Sequence, residues 1–198
     1  VVYTSNRSGS YQLFARATDG SLEERVVLSP PRALLMWPDD WRRDGSILFD
    51  RYEPGTGYNV FELRGQSITP IARTDANEMR GARSPDGRWL AYESNETGRK
   101  EVYVRPFPGT DGGKWQVSTS GGHAPRWARN GRELFYVNMT RDMMAVPVPA
   151  APPFAASGQR PLFRLDPELL LPADENYALY DVAADGRFLF SRRVPEQD

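Results

Sequence analysis

The one histidine of the chain is the first residue whose chemistry has to be weighed. His123 stands in SGGHAPRW, and a histidine can serve as a general base, as a metal ligand or as a polar contact. The sequence has no second histidine and no cysteine, and no carboxylate stands at a ligand spacing beside His123. Catalysis is therefore the least supported role, behind a binding contact and an ordinary loop residue.

Serine and carboxylate patterns give no catalytic constellation either. The segment STSGG at 118–122 is not the G-x-S-x-G elbow of the hydrolases. Asp39 and Asp40 in WPDDW can be read as a paired carboxylate site, but their place before a hairpin favours turn residues. The carboxylates of TDANE (74–78) and PADEN (172–176) do not follow the calcium-loop spacing. We therefore predict no catalytic residue, no metal and no cofactor.

A turn-and-strand module recurs four times along the chain. The copies are WRRDGSILFD, RSPDGRWLAY, WARNGRELFY and VAADGRFLFS. In each copy Asp or Asn precedes a Gly, and a Leu follows three residues after it: Gly45 and Leu48, Gly87 and Leu90, Gly131 and Leu134, Gly186 and Leu189. The glycines are 42, 44 and 55 residues apart, and the first two spacings fall within the roughly 40–45 residues of a four-stranded propeller blade.

The residues around each turn predict strands and leave no room for a crossover helix. In the turn 84–87, Pro85 presets the backbone and Gly87 takes a left-handed conformation, which closes a hairpin. The strand WLAY, the turn SNETGRK, the strand EVYVRPF and a fourth strand near WQVST follow. The first twenty residues match residues 90–109 without a gap, at an offset of 89. The sequence therefore predicts an all-β fold and excludes a doubly wound α/β fold.

We interpret the repeat as a β-propeller of four-stranded antiparallel blades. Three strands in the first copy, four in each of the next three and two at the end give about four blades plus a partial one. Such a chain is expected to be part of a larger ring of about six to eight blades. We expect one domain over 1–198, with blades near 1–30, 31–73, 74–119, 120–172 and 173–198.

The repeats resemble those of TolB-like β-propellers. The resemblance rests on four stretches: SPDGRWLAYESN, NEMRGAR, GGHAPRWARNGRELFYV and the tail MAVPV…PLFRL…YDVAADGRFLF. In wording, these repeats are most similar to propellers at the C-termini of bacterial serine/threonine protein kinases. Trp41 and Trp127 match an aromatic that the family often has three residues before the turn Asp, whereas Arg83 and Val182 depart from it. The resemblance implies a non-catalytic recognition module in a periplasmic or extracytoplasmic region of a larger bacterial protein.

Two rival functions remain open at this point. The chain has no Gly-rich nucleotide loop, no HRD and no DFG, so this segment has no kinase machinery of its own. One rival is the gating propeller of a prolyl-oligopeptidase-type serine hydrolase. The other is a component of an envelope assembly, as the TolB resemblance implies. The rest of the reading frame distinguishes the recognition module from the gating propeller: an upstream kinase supports the first, and a downstream hydrolase supports the second.

Propeller geometry places the candidate binding residues. The first strand of each blade lines the channel, and the loops that lead into these strands gather at one mouth, where loops on a rigid scaffold carry recognition. Their mixture of Arg, Glu, Asn, His and Tyr suits a protein or peptide partner. The candidate residues are Arg32, Asn77, Glu78, Arg80, His123, Glu175, Asn176 and Tyr177.

Composition limits the other partners. A net charge of −1 gives no electrostatic argument for nucleic acid or for an anionic membrane surface. No apolar run reaches about 18 residues, so no membrane insertion is predicted in this segment. Open blade edges, in contrast, invite self-association, because unpaired edge strands accept other strands.

Two local features complete the sequence-based expectations. The Pro-rich segment 147–177 interrupts the repeat, and within it Asp166, Pro167 and Glu168 predict a short helical turn. The leucines at 169–171 then either cover the end of the ring or contact a partner. The N-x-S/T matches at Asn6, Asn95 and Asn138 fall in the same turn of three repeats, and the repeat explains them better than glycosylation does.

Overall fold

Seventeen β-strands and no helix make up the described part of the chain. The computed structural model describes residues 1–30, 34–109, 112–150, 153–169 and 180–192. Across these ranges no helix is long and apolar enough to cross a membrane. The prediction of an all-β fold is confirmed.

The strands form five sheets in which strands that follow each other in sequence pair. The sheets have three, four, four, four and two strands, which are the numbers predicted from the repeat. The first two sheets contain β1 Val2–Ser5, β2 Gln12–Ala15 and β3 Arg25–Leu28, then β4 Met36–Trp41, β5 Ile47–Glu53, β6 Gly57–Arg64 and β7 Ser67–Ala72. The next two contain β8 Glu78–Arg83, β9 Trp89–Ser94, β10 Glu101–Pro106 and β11 Trp115–Gln116, then β12 Gly122–Trp127, β13 Glu133–Asn138, β14 Asp142–Pro147 and β15 Arg160–Arg164. The last contains β16 Tyr180–Val182 and β17 Phe188–Phe190.

The turn at 84–87 has the predicted geometry. Gly87 has a φ of 73° and donates its N–H to Ser84 O at 2.9 Å, and the Ser84 hydroxyl bonds the Asp86 carboxylate at 2.6 Å. A side chain with Cβ is strained at this φ, so glycine is required. The same backbone bond recurs at the other turns, from Gly45 to Arg42, from Gly131 to Ala128 and from Gly186 to Ala183.

The repeated leucines that follow these turns are not all in one environment. Leu48, Leu90 and Leu134 are fully buried, whereas Leu189 is 73% exposed. The second strand of a four-stranded sheet has a neighbour on each side, and these sheets are covered on their faces as well. The last sheet has only two described strands, which leaves Leu189 uncovered by the described residues.

The chain divides into two compact units, residues 1–81 and 82–198. The core of the first unit contains Leu13, Met36, Ile47, Phe49, Phe61 and Leu63. In the second unit the fourth sheet is buried on both faces, because successive side chains of a strand point in opposite directions. Leu134 and Tyr136 of β13 pack into one cluster, and Phe135 and Val137 into another.

One loop of the second unit packs an aromatic side chain, Phe154, into the core; we call this the loop plug. Phe154, from the Pro-rich segment between β14 and β15, is 2% exposed. Its ring centroid lies 5.6 Å from that of Trp89 and 6.0 Å from that of Trp115. This aromatic packing gives a structural role to one part of the longer fourth period of the repeat.

Two sequence-based interpretations need correction, and a third is not tested. Asp39 and Asp40 lie inside β4 and not in a turn, because β4 continues through a register shift between Pro38 and Asp40. The segment around Pro167 forms a turn, in which Leu169 N–H donates to Asp166 O at 3.1 Å, and no helix. Of the predicted leucine cluster, residues 170 and 171 lie outside the described residues.

Arg83 is buried at the position where the resemblance to TolB-like repeats leads one to expect an aromatic residue. Arg83 is 5% exposed, and its guanidinium carbon lies 5.8 Å from the centroid of the Phe107 ring. A guanidinium within about 6 Å of an aromatic face interacts favourably with it. Arg83 can therefore stand where an aromatic residue was expected, because its planar guanidinium packs against the neighbouring Phe107 ring.

Candidate recognition site

An irregularity in β12 marks the site that lies beside His123. The pairing of β12 with β13 shifts register between His123 and Arg126, and Ala124 between them has a φ of 54°. A residue with Cβ in this left-handed region costs roughly 1–2 kcal/mol and persists only where surrounding contacts impose it. β-Bulges of this kind often lie next to functional sites, where they redirect a side chain.

Contacts on both sides hold the backbone of Ala124. Its N–H donates to Oε1 of Glu93 at 2.5 Å, and its carbonyl accepts the Tyr180 hydroxyl at 2.7 Å. Glu93 is 1% exposed and Tyr180 is 3% exposed, so both bonds are shielded from water. We call Glu93, Ala124 and Tyr180 the bulge clamp, since it fixes the strand at the residue next to His123.

The protonation state of Tyr180 fits its role in the bulge clamp. Burial raises the pKa of the Tyr180 phenol above its ordinary value, and the nearby Glu93 carboxylate raises it further, although Arg126 opposes this. The phenol therefore stays protonated at neutral pH and remains a donor to the Ala124 carbonyl.

The loop that leads into β12 is also fixed by a buried carboxylate. Glu101 is fully buried and accepts the N–H of Gly121 at 2.9 Å and the Nε of Arg99 at 2.6 Å, together with the Ser118 hydroxyl. Gly122 packs so closely that an added Cβ would lie 2.6 Å from Ser118 Oγ. His123 thus follows a loop with little freedom, while its own side chain is partly exposed.

The first unit has an equivalent irregularity at Arg80. The repeat offset of 44 residues aligns Arg80 with Ala124, and Arg80 has a φ of 57°. Its N–H donates to Oδ2 of Asp50 at 2.9 Å, and both residues are almost fully buried. Two positions of the repeat therefore use the same device, a left-handed residue whose N–H bonds a buried carboxylate.

Asn77 and Glu78 mainly organise the loop before β8. Oδ1 of Asn77 accepts the Tyr58 N–H at 3.0 Å, and Glu78 accepts the Thr74 N–H at 3.1 Å as well as its hydroxyl. Glu78 is 1% exposed, whereas Asn77 is partly exposed. Of these two, only Asn77 presents surface to a ligand in the structure as it stands.

The structure brings together some of the predicted binding residues. Asn77, Glu78 and Arg80 lie in one segment of the first unit, and His123 lies at the corresponding segment of the second. Arg32, Glu175, Asn176 and Tyr177 lie outside the described residues. That loops of different blades gather at one mouth stays a prediction.

Sequence reasoning missed the residues that hold these segments in place. Asp50, Glu93 and Tyr180 were not predicted, although each contacts the backbone of a bulge residue or its neighbour. A signal was available in LFDRY and LAYES, where a carboxylate interrupts an apolar strand. A buried carboxylate requires partners, and unpaired backbone N–H groups at bulges supply them.

The described residues contain no group of three or more His, Asp or Glu side chains arranged to hold a metal ion. Each unit has a hydrogen-bonded segment with one partly exposed polar side chain, Asn77 in the first unit and His123 in the second. Each of these side chains can donate or accept a hydrogen bond with a ligand that docks against its own unit.

Comparison with known proteins identifies the fold. A protein assigned as TolB from Agrobacterium tumefaciens aligns over 98% of this chain and 70% of its own, with 16% identity and a TM-score of 0.74. TolB from Acinetobacter baumannii aligns over 74% of this chain and 37% of its own, with 16% identity and a TM-score of 0.59. A gluconolactonase from Xanthomonas campestris aligns over 74% of this chain and 54% of its own, with 18% identity and a TM-score of 0.52.

The chain therefore has the fold of a partial β-propeller with antiparallel blades, three of which have four strands. Among such propellers its fold is TolB-like, as the repeats indicated. No family model matches the sequence, and the search of curated proteins also gives no match. Because a gluconolactonase has a similar structure, the fold is compatible with an enzyme as well as with a binding module.

Proposed function

We propose that this propeller is a non-catalytic recognition module that binds a protein or peptide partner beside His123. The observation that carries the proposal is the bulge clamp, in which buried groups from two other strands hold Ala124 in a left-handed conformation. Strain maintained by buried hydrogen bonds is common at ligand-binding positions. A segment held in this way loses little conformational entropy when a partner binds, which favours affinity.

The chemistry beside the bulge clamp suits polar recognition. His123 is partly exposed, and a neutral imidazole offers both a donor and an acceptor. A peptide that presents backbone amides or a carboxylate can form hydrogen bonds with the exposed part of His123.

The larger context belongs to the same proposal. The resemblance to kinase-associated propellers supports an extracytoplasmic sensor or scaffold region of a larger bacterial protein, and the TolB-like fold supports an envelope protein equally well. The flanking reading frame tests this part, because an upstream membrane span supports the sensor and a downstream α/β-hydrolase contradicts it.

Peptide selection tests recognition itself. Random 12-residue peptides displayed on phage are selected on the immobilised chain and then titrated against wild type, His123→Ala and Ile68→Ala, the last a control at a 37% exposed residue of the first unit. We expect saturable binding that weakens about tenfold or more in His123→Ala, a loss of about 1.4 kcal/mol, and is unchanged in Ile68→Ala.

An enzyme assay completes the test. The chain is incubated with glucono-δ-lactone, and acid release is followed by titration at constant pH. A rate equal to the spontaneous one is consistent with recognition alone. Saturable hydrolysis would contradict the non-catalytic part of the proposal. Selected peptides that bind His123→Ala and wild type equally would contradict binding beside His123.

A further inference from the structure

A cleft of about 540 Å³ opens within the first unit, away from the bulge residues. Its wall includes Trp41, which is 44% exposed, and Leu22, which is 69% exposed. Ligand pockets typically measure about 300–1,000 Å³, and tryptophan is enriched among residues that dominate binding energy. We call this the Trp41 cleft; it is lined by Val1, Ala15, Arg16, Ala17, Thr18, Asp19, Ser21, Leu22, Glu23, Arg25 and Trp41.

The repeat identifies an equivalent of the Trp41 cleft in the second unit. Trp41 ends β4 opposite Ile47, and Trp127 ends β12 opposite Leu134. Each tryptophan stands three residues before the Asp or Asn of its turn. Their environments differ, because Trp127 is only 6% exposed and its indole N–H donates to the Ala82 carbonyl at 2.8 Å.

The second wall of the cleft is equivalent as well. Ala15 and Val104 correspond at the offset of 89 residues, and each pairs with one residue of the last strand of its sheet. The partner of Ala15 is Arg25, and the partner of Val104 is Trp115. Arg25 therefore holds the place of Trp115 on this wall.

An aromatic side chain fills the equivalent place in the second unit. Phe154 packs in one cluster with Trp127, and its ring contacts Trp89 and Trp115. It arrives on the segment VPAAPPFAAS, residues 148–157, which is rich in proline. Val148 and Ala156, at the two ends of this segment, pack against the same cluster.

Within residues 1–30 and 34–81, no loop of the first unit fills the Trp41 cleft in the same way. The loop equivalent to the one that carries Phe154 joins β6 to β7, and it is a two-residue turn between Arg64 and Ser67. A two-residue turn spans the two strand ends and nothing more. Trp41 consequently keeps its exposure.

We propose that the Trp41 cleft binds an aromatic side chain carried on a proline-rich, extended segment of a partner protein. The ring lies between the Trp41 indole and the Arg25 guanidinium, which offer a stacking face and a cation–π contact. Proline-rich segments bind aromatic-lined grooves because their backbone is already extended and loses little entropy. The proposal uses none of the residues beside His123, so it stands independently of the proposed function.

The chain itself supplies the probe. A fluorescein-labelled peptide VPAAPPFAAS is titrated with the whole 198-residue chain, and its anisotropy is measured. The variant Trp41→Ala is compared with Tyr52→Ala, a matched control because Tyr52 is 40% exposed in the same unit. A second peptide, VPAAPPAAAS, lacks the aromatic ring.

We expect saturable binding of the first peptide to wild type and to Tyr52→Ala. Binding should weaken at least about tenfold in Trp41→Ala and for the peptide without phenylalanine. Circular dichroism confirms folding, and since Trp41 is not part of the core cluster of the first unit, its loss should leave the spectrum unchanged.

Three results would overturn the proposal. One is the absence of saturable binding. Another is equal affinity for Trp41→Ala and wild type, or for the two peptides. The third is concentration-dependent self-association that Trp41→Ala abolishes while the peptide fails to compete, since the cleft would then hold a second copy of the chain.

Discussion

Removing the carboxylate of Glu93 is the most informative perturbation of the bulge clamp. In Glu93→Ala the Ala124 N–H loses an acceptor at 2.5 Å in a site that is closed to water. A hydrogen bond to a charged group contributes about 1.5–3 kcal/mol, and an unsatisfied buried N–H costs a similar amount. We expect the free energy of unfolding to fall by about 2–3 kcal/mol.

Urea denaturation measures this loss. With a slope of about 1–3 kcal/mol per molar urea, the unfolding midpoint should fall by roughly 1 M. Glu93→Gln keeps an oxygen acceptor without the charge and should lose clearly less. Hydrogen exchange at the Ala124 amide should accelerate in Glu93→Ala, which locates the effect.

Two further variants control the interpretation. Glu133→Ala removes a partly exposed carboxylate that pairs with Arg160 at 2.7 Å, and should cost at most about 1 kcal/mol. Ala124→Gly relieves the left-handed strain and should gain about 0.5–1 kcal/mol. If Glu93→Ala unfolds at the same urea concentration as wild type, or Ala124→Gly is destabilised, the bulge clamp does not work as described.

Three other predictions follow from packing and titration. Gly122→Ala should lower the free energy of unfolding, measured in urea, by more than about 2 kcal/mol, because the new Cβ would clash with Ser118. Gly109→Ala is the control and should be near neutral, because nothing lies within 4 Å of its Cβ position. Equal effects of the two substitutions would contradict the packing described for Gly122. Phe154→Ala should lower the free energy of unfolding by about 3–5 kcal/mol, and Phe163→Ala, at a 41% exposed residue, by clearly less. The reverse order of the two losses would refute the loop plug. Burial, with the Glu96 carboxylate adding to it, raises the pKa of Tyr103 to about 12 from 10.0, so its contribution to stability is complete below pH 10 and is lost as the pH rises towards 12. Between about pH 8 and pH 11, wild type should lose more free energy of unfolding than Tyr103→Phe, in which only the other buried tyrosines titrate. An identical pH dependence of the two proteins would count against the shift.

The strand order was predictable because the repeat is local. A turn such as 84–87 needs only Pro85 and Gly87 to fix its backbone, and the apolar residues on each side alternate with the sheet. The number of strands in each sheet followed from counting these turns, and the structure confirms it. The loop plug by Phe154 could not be predicted, because the contact joins residues 65 positions apart in sequence, Trp89 and Phe154.

The recognition site was only partly predictable for a similar reason. Asn77 and His123 were found because the repeat predicts inner strands that begin near them. The structure places Asn77 just before β8, as expected, but His123 is the second residue of β12 and not a residue of the preceding loop. That Arg80 is 2% exposed was not visible, since its burial depends on strands distant in sequence. The same holds for the bulge clamp, where Glu93 and Tyr180 meet Ala124 from strands that lie far from it in sequence.

The most direct test of the central claim is a chemical-shift map of the bound state. The ¹⁵N-labelled chain is titrated with a display-selected peptide, and the backbone amide shifts are followed residue by residue. We predict the largest changes at 122–124, the segment held by Glu93 and Tyr180. Amides that stay unmoved in this segment, with shifts confined to other strands or to the Trp41 cleft, would contradict recognition beside His123.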